Sequence, residues 1–466
     1  MARVRASPRA LAALLLLLAV ESTAVASLGT PLLATVERVE HVSLAASQWA
    51  LTIALLVAAI VTPLLGRLAG GSSRRRTILV VLAVMLLGCV VSALPVGFGW
   101  FLAGRALQGV GFGLVPLAIA IARDDLPLAR RGPVIGAVGA MTAVGAGIGY
   151  PIVGALAQWL GLQAPFWFSA ALSAPTLLAA ALLLPDGPPR PARVDTAGVL
   201  VLALGIGALL LVLAEAPSFG WASAFTIGCG AFSAVSILGW VCWELRAASP
   251  LVELRLLRNR GILTADVVAS LVALGFYPLL SLVVRYVQTS TAAGYGFGAS
   301  VFLAGAMLTP FSVASFTASR IAGATARLRT EPLLVASCAV VLASMLLFAF
   351  ARSSYLDIVV TMLLAGTGVG AVYAVAPIEI SKAVPPGETG SAVSFYLLAR
   401  TVSYSLASAL SATMLVESTP RGHILPTDHG YGVAALVCSA VLAVALLASL
   451  ACTWQPRRRH PGISPG

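Results

Sequence analysis

The sequence predicts an all-α membrane protein, and three observations carry that expectation. Of its 466 residues, 59% are hydrophobic and only 10% are charged, whereas a soluble domain carries about a quarter charged. The apolar residues come in continuous runs, such as Leu11–Val20, Thr77–Val91 and Val199–Ala214, without the alternation of a strand. In lipid the backbone must satisfy its own hydrogen bonds, which leaves helices or closed barrels, and unbroken runs of roughly 20 residues fit helices.

Reading each run to its polar break gives spans at 10–34, 47–66, 77–95, 99–122, 133–157, 164–184 and 197–214. Seven more follow at 222–243, 262–286, 298–320, 332–350, 355–379, 390–415 and 432–454. The first opens after Arg3, Arg5 and Arg9 and resembles a signal peptide ending at Ala24-Val25-Ala26. Its apolar run continues to Val36 and contains the acid Glu21, so the segment is expected to be retained as a span. The second and third flank the basic loop Arg67–Arg76, and the fourth and fifth flank Arg123–Arg131. With the N-terminus in the cytoplasm, 23 of the 29 Lys and Arg fall on that side, as the positive-inside rule requires. The expectation is therefore fourteen crossings of the cytoplasmic (inner) membrane with both termini cytoplasmic.

The fourth span contains Gly109-Val110-Gly111 followed by Val115-Pro116, and the twelfth contains Gly368-Val369-Gly370 followed by Ala376-Pro377. Paired Gly/Pro-interrupted helices at corresponding positions mark transporter repeats. If spans seven and eight are inserted, these become the fourth helices of two six-helix halves. The expected domains are a six-helix bundle over 1–195, an inserted helix pair with its linker over 196–260, a second six-helix bundle over 261–454, and a short basic tail over 455–466.

Several function classes fall away. The net charge of +12 is spread over loops, with no water-facing module to gather it, so no nucleic-acid partner is expected. The six cysteines lie in apolar runs without ligand spacing, and the four histidines lie in loops or the tail. No metal or cofactor is implied. The sole lysine, Lys382, follows Ser381, so there is no Gly-Lys phosphate loop, and no nucleophile–base pair suggests an enzyme.

Four intramembrane charges remain. Glu21 lies about twelve residues into its helix, roughly 18 Å deep and near the bilayer centre. A carboxylate left in hydrocarbon costs at least ~2.5–3.5 kcal/mol, and such acids mark functional sites. Arg105 lies about two turns inside the outer end of the fourth span, with Gln108 one turn on along the same face. Asp266 sits about one turn inside the ninth span and Arg400 about ten residues into the thirteenth. Tyr277, Tyr286, Tyr373 and Tyr396 line a cavity or form an interfacial belt.

The stretch Phe101–Gly113, with Arg105, Gln108, Gly109 and Gly111, is similar to the fourth-helix motif of the major facilitator superfamily. Gly139–Ala155, which includes Gly145, Gly149, Pro151 and Gly154, resembles its fifth-helix antiporter motif. The segments Asp195–Gly198 and Ser249–Arg260 resemble the flanks of the extra helix pair in the fourteen-span drug:H⁺ antiporter subfamily. The loop from Gly66 through Arg74 and Arg75 resembles the family's conformational motif, but Gly70 replaces its Asp and Ser73 its second Gly. The fifth helix reads Gly149-Tyr150-Pro151 where the family has Gly-Pro.

The resemblance implies proton-coupled efflux of small amphipathic molecules such as drugs or antibiotics. Uptake or exchange of a small metabolite by the same fold is the alternative. It also implies a monomer whose partners are a small-molecule substrate, protons and the bilayer. Proton coupling would fall to Glu21, Arg105 and Asp266, with Arg105 biasing Glu21 across a shared cavity. The substrate pathway would include Gln108, Arg400, Tyr373 and Tyr396.

Overall fold

A computed structural model describes residues 7–69, 74–185, 195–247, 254–325, 330–383, 389–420, 423 and 425–453. The loop Gly70–Ser73, the linker around Arg190 and Arg193, and the tail 455–466 lie outside the described residues. The described residues are helical, and no strand occurs among them.

In chain order the helices are α1 (Pro8–Ser27), α2 (Leu33–Glu40), α3 (Leu44–Ala69), α4 (Arg74–Ala93), α5 (Phe98–Gln108) and α6 (Leu114–Asp125). Next come α7 (Leu128–Leu160), α8 (Ala164–Leu183), α9 (Thr196–Phe219), α10 (Ala224–Arg246), α11 (Arg260–Phe276) and α12 (Pro278–Gln288). The chain ends with α13 (Val301–Ala306), α14 (Thr309–Thr325), α15 (Thr330–Phe350), α16 (Tyr355–Ala383), α17 (Thr389–Glu417) and α18 (Asp428–Thr453).

Four expected spans are interrupted: the tenth divides at Met307–Leu308 into α13 and α14, and the other three break where the sequence weakens the helix. Gly29 and Pro31 separate α1 from α2, since proline removes a backbone donor. The glycines of Gly109–Gly113 tighten into a 3₁₀ turn between α5 and α6. Pro278 opens α12 directly after α11. At the start of α1, the Ser7 hydroxyl accepts from the Ala10 N–H at 3.2 Å, with Pro8 as first helical residue.

Among the described residues, twelve helical segments are long and apolar enough to cross a membrane, against fourteen expected. The expected fifth and thirteenth spans are α7 and α17, helices of 33 and 29 residues that are not among those twelve. Each includes positions whose side chains lie outside the described set.

Glycine sets how closely the helices pack. A Cβ on Gly109 would sit 2.5 Å from the Ala54 carbonyl oxygen of α3, and one on Gly111 2.6 Å from the Met85 sulfur of α4. The other glycine run behaves alike. Gly366 and Gly370 lie against the backbone of α14 at Phe311 and Ser315, while a Cβ on Gly368 would sit 2.7 Å from Ser337 O of α15. In both runs the glycines face two neighbouring helices at distances no side chain could share.

Two seams join helices α1–α8 to helices α11–α18: α3 against α17, and α7 against α13 and α14. The pair α9–α10 packs outside the first seam, with α9 against α17 and α3. Only 28% of the central window of α9 and 17% of that of α10 are buried, against 61% for the first span, so the pair faces mostly outward. Thr413 of α17 donates to the Leu213 carbonyl at 2.6 Å, and Trp221 Nε1–H donates to Glu417 at 2.8 Å.

Candidate functional site

Between the two seams lies a cavity of two lobes, about 380 and 350 Å³. Ala26, Leu55, Phe112, Ala146, Arg400 and Tyr404 line both, so the lobes adjoin. Helices from both ends of the chain supply the walls. Among the described lining residues Arg400 is the one charged side chain; the rest are apolar, aromatic or hydroxyl-bearing.

Arg400 projects from α17 into a cluster of tyrosines. Its guanidinium carbon lies 4.8 Å from the ring centre of Tyr373, 5.3 Å from that of Tyr396 and 6.0 Å from that of Tyr404. Its Nη1–H donates to the Tyr396 hydroxyl at 3.3 Å. Tyr373 lines the cavity, whereas Tyr396 is 1% exposed and stands behind Arg400.

The hydrogen bonds that join the halves lie toward the end carrying α2. Arg285 of α12 pairs with Glu37 of α2, and its Nη2 donates to Ser47 at 2.9 Å. The Ser408 hydroxyl of α17 accepts from Gln48 Nε2 at 3.0 Å and lies 2.8 Å from that of Thr52. On the other seam, Thr309 donates to the Gly147 carbonyl at 2.9 Å, and the Phe302 N–H donates to Gln158 at 3.1 Å. The cavity walls reach the opposite way, to Thr62, Ile119 and Ser319.

Glu21 is 1% exposed and turned away from this cavity, although Ser22 and Thr23 line it. Its two carboxylate oxygens accept from Ser173 and Thr176 of α8, each at 2.8 Å. Arg105 is equally buried but lies elsewhere. Its Nε–H donates to the Ala50 carbonyl at 2.9 Å and its Nη1–H to Gln108 Oε1 at 2.5 Å. Gln108 in turn donates to Gly88 O at 3.1 Å and Ser92 at 3.3 Å. Glu21 and Arg105 are therefore not paired.

Asp266 of α11 is 3% exposed, and neither carboxylate oxygen has a hydrogen-bond partner among the described residues. It does not line the cavity, but Tyr396 lies within electrostatic reach of both Asp266 and Arg400.

The motif residues serve packing. Gly145 and Gly149 of α7 face Thr23 and Ser27 of α1, and Gly154 would bring a Cβ to 2.5 Å from Val301 O. Pro151 lies within α7 without ending it. Arg74 is fully buried at the start of α4, bonded to Asp124 at 3.2 Å and paired with Asp125 at the end of α6. Arg75 Nη2 donates to Ala181 O at 2.5 Å. Gly66 falls within α3, and its surroundings lie outside the described set.

Tyr404, Tyr150 and the Glu37–Arg285 pair were not singled out by sequence reasoning. Tyr404 had a readable signal, since it follows Arg400 by one helical turn.

A helical bundle closed by two seams around a central cavity, closed toward one end, is the architecture of a membrane transporter. The chain belongs to the Major Facilitator Superfamily, whose family pattern matches residues 12–408.

An uncharacterized MFS-type transporter of Mycobacterium tuberculosis is 28% identical over 80% of this chain, which spans 54% of that relative's length. A triacylglyceride transporter of Mycolicibacterium hassiacum is 34% identical over 44% of this chain and 40% of its own. Multidrug resistance protein Stp of M. tuberculosis is 26% identical over 89% of this chain and 86% of its own. The POT family transporter PepTSo shares the fold at a TM-score of 0.66, with 15% identity over 96% of this chain and 97% of its own.

Proposed function

We propose that this protein exports small amphipathic molecules across the cytoplasmic membrane in exchange for protons. The observation that carries the reading is the central cavity, drug-sized, walled by both ends of the chain and hydrogen-bonded shut toward the α2 end. With the N-terminus cytoplasmic, that cavity faces the cytoplasm, from which an exporter loads. The extended likeness to Stp supports multidrug efflux over triacylglyceride transport, because lobes of about 380 and 350 Å³ suit a compact molecule better than three acyl chains.

Fourteen crossings belong to the proposal: the twelve segments plus α7 and α17, with α9–α10 as the inserted pair between halves 1–195 and 261–454. Glu21 and Asp266 are the proposed proton carriers, each a buried acid on a helix that touches the cavity. Arg105 becomes a positioning residue that ties α5 to α3. In everted vesicles, adding a transported compound should release protons from the lumen, and a pH gradient should drive accumulation. A screen of cationic, neutral and anionic compounds in which none accumulates would overturn export. Reporter fusions after Arg260 and Gly294 should report cytoplasm and exterior, and a periplasmic signal at Arg260 would refute the fourteen-span topology.

A further inference from the structure

Arg400 is a cation without a counter-charge. Among the described residues, one of the five N–H donors on its guanidinium is bonded, to a tyrosine hydroxyl, and Nε has no acceptor. Among the described residues no carboxylate lies within ion-pair distance of it. The three tyrosine rings offset part of the cost of holding the charge away from bulk water, but rings accept no strong hydrogen bonds and leave the other donors unused. The two intramembrane acids stand elsewhere. Glu21 is bonded to α8, and Asp266 is buried outside the cavity walls.

The rest of the wall is specific in its own way. Phe276 and Phe311 stack at 4.9 Å between ring centres and present one aromatic surface, and Tyr150 and Tyr277 extend it. Ser312, Ser315 and Ser319 form a hydroxyl stripe along α14. Because Arg400 borders both lobes, a molecule filling either must lie against it. A cationic guest would meet like charge with no acid to hold it, which excludes cations as well as attracting anions.

We propose that the substrate class is the drug-sized aromatic anion, a carboxylate or phenolate. Arg400 holds its charged end where the two lobes adjoin, and the Phe276–Phe311 wall takes its ring system. This deepens the reading of the cavity as the transport path and rests on it.

The test uses full-length protein in lipid nanodiscs and three probes that share one ring system and differ in charge: anthracene-2-carboxylate, its methyl ester, and 2-(aminomethyl)anthracene. Energy transfer from the chain's tryptophans to the anthracene reads binding. The acid should bind at least ten-fold more tightly than the ester or the amine. R400Q should abolish that preference, and R400K should keep part of it by retaining the charge without the planar fork.

Equal or tighter binding of the ester or amine to the wild type overturns the proposal, as does a preference that survives R400Q or the failure of all three to bind. If R400Q does not fold, the wild-type selectivity and R400K decide. Everted vesicles separate this proposal from the export reading. Ethidium accumulation without binding of the acid would leave an exporter and remove the anion site. Arg400-dependent acid binding without proton-driven accumulation of any compound would do the reverse.

Discussion

At the scale of single residues, Glu21 and Arg105 show what a linear reading can and cannot reach. An acid twelve residues into an apolar run announces its burial by position, and Glu21 is indeed 1% exposed. Its partners were illegible, because Ser173 and Thr176 are ordinary helix residues about 150 positions away and nothing local marks them. The expected pairing with Arg105 assumed that both faced one cavity, whereas Glu21 bonds to α8 and Arg105 to Gln108 and the α3 backbone.

The two mutations should therefore differ in kind. In Glu21→Gln the hydroxyls of Ser173 and Thr176 can rotate to accept or donate, so the melting temperature should change little. Proton-driven accumulation should vanish while substrate binding persists. Accumulation at the wild-type rate would make Glu21 structural and pass coupling to Asp266. Arg105→Ala instead leaves Gln108 Oε1 without its donor and unties α5 from α3, which should cost about 1–3 kcal/mol of stability. A thermal melt unchanged from wild type would contradict that role.

At the scale of elements, the glycine runs were legible as motifs, but the surfaces they serve were not. A glycine in a sequence says that something approaches closely without saying what. In α7 the answer divides by face: Gly145 and Gly149 seat α1, while Gly147 and Gly154 seat the other half of the molecule at Ser312 and Val301. Gly154→Ala would press a methyl group into the Val301 carbonyl, a rigid neighbour, and overpacking of this kind costs about 1–3 kcal/mol. Because that contact lies on the seam at the shut α2 end, the penalty should fall on the shut conformation. A cysteine at Ser312 should then react roughly ten-fold or more faster with an impermeant thiol reagent applied from the α2 side. Unchanged reactivity would mean that the seam relaxes around the methyl group.

The helix pair α9–α10 is expected from its flanks, Asp195–Gly198 and Ser249–Arg260. Its seat over the α3–α17 seam is not, because the apolar contacts of Leu202, Ile206 and Leu210 look like any lipid-facing run.

At the scale of the whole molecule, composition alone fixes the class: 10% charge in 466 residues leaves only lipid as solvent for the surface. Conformation is another matter, since a transporter's sequence must serve both of its states and cannot favour one strongly. What closes the α2 end is a polar set spread over more than 350 positions of chain, from Glu37 and Gln48 to Arg285 and Ser408. Arg285 is 5% exposed, and nothing local in the sequence marks Glu37, about 250 positions away, as its partner.

Its pair with Glu37 is the strongest polar tie between the halves. Both groups are charged, Ser47 bonds to each, and Glu37 retains some solvent exposure that weakens the attraction. A charge-assisted contact of this sort is worth about 1–2 kcal/mol, enough to shift a two-state equilibrium roughly ten-fold. Glu37→Gln or Arg285→Gln should therefore raise labelling of a Ser312→Cys reporter from the α2 side by about that factor. The exchanged pair Glu37→Arg with Arg285→Glu should restore the wild-type rate. A purely steric contact would respond differently, with the exchange adding its two defects instead of cancelling them. That additive outcome would remove the ion pair from the closing mechanism and leave the Ser408 hydroxyl contacts and the Gly154–Val301 approach to hold the end shut.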